Sequence, residues 1–235
     1  MNEINYVLKL VTHYDEGKRT VFNNHISGEN VKNKEFFFSG ESYVDKINEE
    51  NREFDYLIPR SIGDRIKITH ICDFHGWIRE SPSNMLSYIV SQRFCKLLNQ
   101  FKLYPNKFYK AKVLFEEVVF PYFVWQLFTN GLDTFINFEH TTFCEWDFKR
   151  KNKIGSKIIQ SSSWDDMDDY GFENDWEAWG FDRLVMKPSF KEMDCVWIDP
   201  LGIVISERLK NAIEAMQPAI TGLEILPCPV QFEYL

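Results

Sequence analysis

An α+β fold with a mixed or antiparallel sheet and few helices is what this sequence predicts. Three observations predict it. Short β-branched and aromatic runs recur along the whole chain. Two stretches stand out for a helical repeat of apolar residues. Both stretches follow an apolar pair and a serine and lead into another strand, so the fold is built around two related strand–helix–strand units.

The elements run in this order. Tyr6–Val11 is β-prone, Glu16-Gly17-Lys18 is a turn, and Thr20-Val21-Phe22 follows as strand. Asn23 to Lys34 is polar and predicts a loop, and Phe36-Phe37-Phe38 is a short apolar run closed by Ser39-Gly40. Glu53 to Ile58 is a strand candidate stopped by Pro59, and Arg65 to Ile71 alternates as a half-buried strand does. Leu86 to Val90 is apolar. Ser91 then stands at an N-cap position, and Phe94, Leu97, Leu98 and Phe101 share one helical face up to Tyr104-Pro105-Asn106. Phe108–Phe115 and Phe120–Phe128 are strands, with Pro121 near the start of the second, where a missing N–H is tolerated. Asp147 to Lys153 is a basic-leaning turn, and Ile158-Ile159 a short strand. Leu184–Met186 and Asp194–Ile198 are strands, followed by a turn at Asp199-Pro200-Leu201-Gly202. Ile203-Val204-Ile205 leads to Ser206 and a helix with Leu209, Ala212, Ile213 and Met216 on one face. Pro218 and a strand over Leu223–Leu226 complete the series.

The repeat is visible in the letters. Ile89-Val90-Ser91-Gln92-Arg93-Phe94 and Val204-Ile205-Ser206-Glu207-Arg208-Leu209 align as apolar pair, Ser, polar, Arg, apolar. Ser91 corresponds to Ser206 and Arg93 to Arg208, and both serines are expected as structural helix caps worth about 1 kcal/mol each.

Composition narrows the function classes. The 235 residues are 44% hydrophobic, 26% charged and 16% aromatic, with 21 Phe and 7 Trp, which suits a folded chain rich in large flat side chains. A formal charge of −8 disfavours phosphate backbones and anionic lipid, so neither nucleic acid nor membrane is expected as a partner. The apolar run Val113–Phe128 contains Glu116, Glu117 and Pro121 and is too short to span a bilayer. The start shows no basic-then-apolar signal segment. Cys72, Cys95, Cys144, Cys195 and Cys228 are widely spaced without a Cys-x-x-Cys pair, which predicts free thiols and a reducing, cytoplasmic setting.

Val204-Ile205-Ser206-Glu207-Arg208-Leu209-Lys210, with Ile220-Thr221-Gly222-Leu223-Glu224 after it, resembles the C-terminal signature of the bacterial polymorphic-toxin immunity proteins of family 11, whose close relatives form family 43. Pro121 to Leu127, Leu132-Asp133 and Phe138-Glu139-His140 are similar to that family's aromatic strand and acidic turn. The resemblance covers roughly residues 80 to 230. It implies a cytoplasmic antidote that neutralises a cognate secreted toxin by stoichiometric protein–protein binding, without a catalytic residue or cofactor. It also implies a division into a variable β-rich part, 1–80, and an immunity-protein-like α+β part, 81–235, or one continuous domain running through both.

His70, Cys72 and His75 are metal-capable, and Cys144 with His140 could join them, but zinc sites need four convergent ligands and none is expected here. No Gly-x-Ser-x-Gly, Ser-x-x-Lys or phosphate-binding glycine loop is present, so no catalytic set is expected. The paired acids Glu116-Glu117 and Asp165-Asp166 suit solvated positions. The strongest binding candidate is an acidic, aromatic stretch without Lys or Arg: Trp164, Asp165, Asp166, Asp168, Asp169, Tyr170, Glu173, Asp175, Trp176, Glu177 and Trp179. Desolvated rings flanked by steering carboxylates suit a toxin with a basic surface, and for a nuclease such a surface imitates substrate phosphates. The competing expectation is a solvated loop whose Trp164, Trp176 and Trp179 plug back into the core. The alternative function is a small hydrolase or nucleotide-handling enzyme, which a metal or ligand in the purified protein would favour; a third is an accessory structural protein of a phage or mobile element.

Overall fold

The structure, a computed structural model, describes residues 5–10, 25–26, 53–58, 71–76, 87–127, 134–147, 152–174 and 178–235. It is α+β with few helices, as the sequence predicts. The strands are β1 (Tyr6–Leu10), β2 (His25–Ile26), β3 (Glu53–Ile58), β4 (Phe74–Gly76), β5 (Ser87–Ser91), β6 (Asn106–Phe115), β7 (Val118–Leu127), β8 (Thr142–Asp147), β9 (Asn152–Ile159), β10 (Trp179–Met186), β11 (Cys195–Ile198), β12 (Gly202–Ile205), β13 (Leu223–Pro227) and β14 (Phe232–Tyr234). The helices are α1 (Gln92–Leu98), α2 (Trp164–Glu173) and α3 (Glu207–Glu214), with a 3-10 turn at Pro188–Glu192. Among the described residues no helix is long and apolar enough to cross a membrane.

The chain forms two compact units that interleave in sequence. One comprises 9–128 and 211–224 and holds the sheet ordered β2-β3-β6-β7-β5-β4. Its centre is the β6–β7 hairpin, ten residues a side, in register from Asn106↔Leu127 to Phe115↔Val118. β5 pairs antiparallel with β7, whereas β3 runs parallel to β6, so the sheet is mixed. Pro121 lies one residue beyond the last β5 partner, Tyr122, so it has a strand neighbour on one side only and its missing N–H leaves no gap there. Tyr109, Ala111 and Val113 alternate into the core with Tyr122 and Val124, and from Val124 to Leu127 β7 is buried on both faces, Trp125 included.

The other unit comprises 1–8, 129–210 and 225–235. It holds the sheet β14-β10-β8-β9, and most of the sheet β11-β12-β1-β13, in which β1 pairs Tyr6↔Ile205 to Leu8↔Ile203. β10 and β14 run parallel, whereas β10 with β8, β8 with β9, β11 with β12 and β1 with β12 pair antiparallel.

The sequence-based elements hold with identifiable exceptions. His25-Ile26, inside the stretch expected to be loop, pairs with Ile58 and Leu57 as a short edge strand. The first helix ends earlier than its apolar spacing suggests: Asn99 is its C-cap and its side-chain amide donates to Cys95 O at 2.8 Å, so Phe101 lies past the end. The strand expected at Ile158-Ile159 is the tail of the eight-residue β9. Lys153, Gly155, Ser156 and Lys157 had disguised it, and such residues are what an exposed edge strand carries. β4, β8, β14 and α2 have no counterpart among the expected elements, and α3 ends at Glu214, so Met216 lies past the helix whose face it was expected to share. The Glu16–Lys18 turn and the strands expected at Thr20–Phe22 and Phe36–Phe38 lie outside the described residues, as does the strand expected at Arg65–Ile71 apart from Ile71, which is not in a strand.

Candidate functional site

Each related unit contains one buried aspartate that the sequence reading missed. In β4–β5, Phe74 pairs with Val90, which sets Asp73 beside Ser91. In β11–β12, Cys195 pairs with Ile205, which sets Asp194 beside Ser206 in the same register. Ser91 N donates to Asp73 O at 2.8 Å and Ser206 N to Asp194 O at 2.9 Å. Ser91 Oγ donates to Asp73 Oδ1 at 2.6 Å, and Ser206 Oγ to Asp194 Oδ1 at 2.8 Å. Both serine hydroxyls also accept, at 3.2 Å, the backbone N–H three residues on, from Phe94 and Leu209, so both are the expected helix caps. Arg93 and Arg208 close each site with a two-pronged grip on the carboxylate, Nε to Oδ1 at 2.7 and 2.9 Å respectively and Nη2 to Oδ2. Asp73 lies 18 residues before its serine and Asp194 only 12, an unequal spacing that hides the match in the letters.

The first clasp has an additional layer. Thr221 N and Thr221 Oγ1 donate to Asp73 Oδ2 at 3.0 and 3.1 Å, and Asp73 N and Phe74 N donate to Thr221 O at 3.2 and 3.1 Å. Arg93 also donates to Pro218 O and, at 2.7 Å, to Ala219 O. Gly222 ends this strap with φ +89, and a Cβ there would strike Phe74 O and meet Cys72 Cβ at 2.8 Å, so the close approach requires glycine. Burial pushes the Asp73 carboxyl upward, but hydrogen bonds from Arg93, Ser91 and Thr221 outweigh it and hold the group below its ordinary 3.8.

The acidic, aromatic stretch forms α2, capped by Ser163, whose Oγ accepts from Asp166 N at 3.1 Å. Asp166 sits at the third helical position, and its carboxylate accepts from Ser162 Oγ. Hydrogen bonds from Ser162 and Ser163 keep it below the usual carboxylate range. Asp165 and Asp166 lie in the first turn, where the helix dipole favours negative charge. Asp165, Asp169 and Glu173 are exposed and recur every four residues, forming one acidic stripe. Trp164 and Trp179 are half-buried and packed on one another at 5.0 Å between ring centroids. They lie against Phe143 and Phe181, with Phe138 on Trp164, so these two rings anchor the helix to its own sheet. Tyr170 is half-buried beneath Lys157 Nζ, 4.9 Å from its ring, and that ammonium also donates to Asn174 Oδ1. Asp168 falls within α2, and Asp175, Trp176 and Glu177 lie outside the described residues.

Of the metal-capable residues, His75 is engaged with backbone. His75 is buried with Nε2 2.7 Å from Cys72 O and 3.0 Å from Cys72 N, which occupies that nitrogen with backbone. Tyr122 Oη donates to the same Cys72 O at 2.6 Å. His70 lies outside the described residues, among which no cluster of three metal-capable side chains occurs. All five cysteines are free and four are buried; burial pushes the Cys95 and Cys144 thiols up to about 11, so neither is an activated nucleophile.

No protein-family model matches the chain, and no curated protein matches it.

Proposed function

We propose that this chain is a cytoplasmic immunity protein that neutralises a cognate bacterial toxin by direct stoichiometric binding, in keeping with its resemblance to immunity protein families 11 and 43. One observation carries the reading: the exposed stripe Asp165, Asp169 and Glu173 on α2. Like charges four apart weaken a helix, and an acid in the last turn opposes its dipole. No basic residue sits in that turn to offset Glu173. Helix stability therefore does not account for Asp169 and Glu173, whereas attraction to a basic protein surface does. The Trp164–Trp179 bed supports the reading by fixing the stripe on a rigid element, so little order has to be gained on binding.

The test is co-expression with the polypeptide encoded beside this chain, followed by pull-down and binding kinetics. Asp165→Asn, Asp169→Asn and Glu173→Gln together, with Asp166 spared because its carboxylate accepts from Ser162 beside the cap, should slow association about tenfold at low salt and less at high salt. An unchanged association rate at low salt would remove the stripe from the interface.

A further inference from the structure

The β6–β7 hairpin runs on past its neighbours. On β6 the last partner from β3 is Val113, and on β7 the last from β5 is Tyr122. From Leu114 to Pro121 the two strands pair only with each other among the described residues, at Leu114↔Val119 and Phe115↔Val118. Val118 and Val119 are 52% and 45% exposed. As successive residues of a strand they face opposite sides, so both faces of the tip present apolar surface. Phe115 and Phe120, both half-buried, extend it.

The turn itself is Glu116-Glu117, with φ of 48° and 66°. A two-residue hairpin turn with both centres left-handed is normally Asn-Gly or Asp-Gly, because a larger side chain is strained there. Two adjacent like charges add repulsion. The hairpin's basic residues, Lys107, Lys110 and Lys112, sit back along β6, so the carboxylates lead. The strain and the repulsion at Glu116-Glu117 oppose folding. A strained acidic turn carried on an exposed apolar stem matches a partner that offers a cationic floor and apolar walls.

We infer that the hairpin tip, Leu114–Pro121, inserts into a basic, apolar-walled cleft of the toxin, Glu116 and Glu117 meeting its cationic groups and Val118 and Val119 its walls. This inference rests on the functional reading above and adds a contact that α2 does not supply.

The experiment uses the full chain, and as probe the purified polypeptide encoded beside it, with that polypeptide's own activity abolished by substitution. Val118→Thr with Val119→Thr keeps the β-branched shape, so the strand persists while apolar surface is lost. Dissociation should quicken and Kd weaken about tenfold. Glu116→Asn with Glu117→Gly installs the favoured turn and should raise Tm by roughly 2–4 °C. The same pair should slow association about fivefold at low salt. Binding by the unaltered chain that both variants retain in full overturns this inference alone. No binding by the unaltered chain overturns the functional reading and this inference with it.

Discussion

The two clasps are built alike and held differently. Around Asp73 and Asp194 the serine, the arginine and the strand register coincide, yet the surroundings do not. At the first clasp the Arg93 side chain is 31% exposed beneath a strap that lends Asp73 two more donors; at the second the Arg208 side chain is 69% exposed and Asp194 lies deeper, at 2%. The common part states what the module needs: a carboxylate to fix the serine rotamer, the serine to cap the helix, and the guanidinium to neutralise the buried charge. A buried carboxylate is tolerated only when hydrogen-bonded and paired, and in each clasp a serine and an arginine supply both kinds of contact. The strap distinguishes the first clasp, where Thr221 adds donors to Asp73.

Substitutions can separate the shared part from the added one. Asp73→Ala removes Ser91, Arg93 and Thr221 partners together and should cost about 4 kcal/mol in denaturant unfolding. Asp194→Ala should cost about 3 kcal/mol; equal losses would mean that the strap adds no stability. Gly222→Ala leaves both clasps' charges in place and prises the strap off Phe74, so its cost, about 2 kcal/mol, is limited by the strap letting go. Ser91→Ala and Ser206→Ala should each cost about 1 kcal/mol, and a large inequality between them would break the equivalence of the caps. Acid provides a further comparison. Because the folded Asp73 carboxyl titrates below its unfolded value, its contribution is present above the ordinary 3.8 and is lost as pH falls through the lower folded value. Melting curves taken down through that range should fall less steeply for Asp73→Asn than for the unaltered chain.

Much of this architecture was legible where local pattern and tertiary role agree. Ser91 and Ser206 announce themselves because a cap is a local device, and Phe94, Leu97 and Leu98 because a buried helix face has its own period. Asp73 and Asp194 were not legible, since nothing in the neighbouring residues says that a carboxylate turns inward; only the pairing of β4 with β5 and of β11 with β12 does so. α2 was hidden by composition: its aspartates are weak helix formers, and the evidence for a helix lies in Ser163 and the first-turn acids. At the candidate surface the acids were identified from the letters, while the inward packing of Trp164 and Trp179 depended on Phe143 and Phe181, distant in sequence.

The strap also dictates an order of events during synthesis. Arg208 and Asp194 are 14 residues apart, so that clasp can close almost as soon as its arginine has emerged. Thr221 stands 148 residues beyond Asp73, and at ribosomal speeds of about 5–20 residues per second the first clasp waits roughly 7–30 s for its last donor. During that interval the shared part of the first clasp, whose residues are all made once Arg93 has emerged, stands without its strap, and the strap is the last piece to arrive.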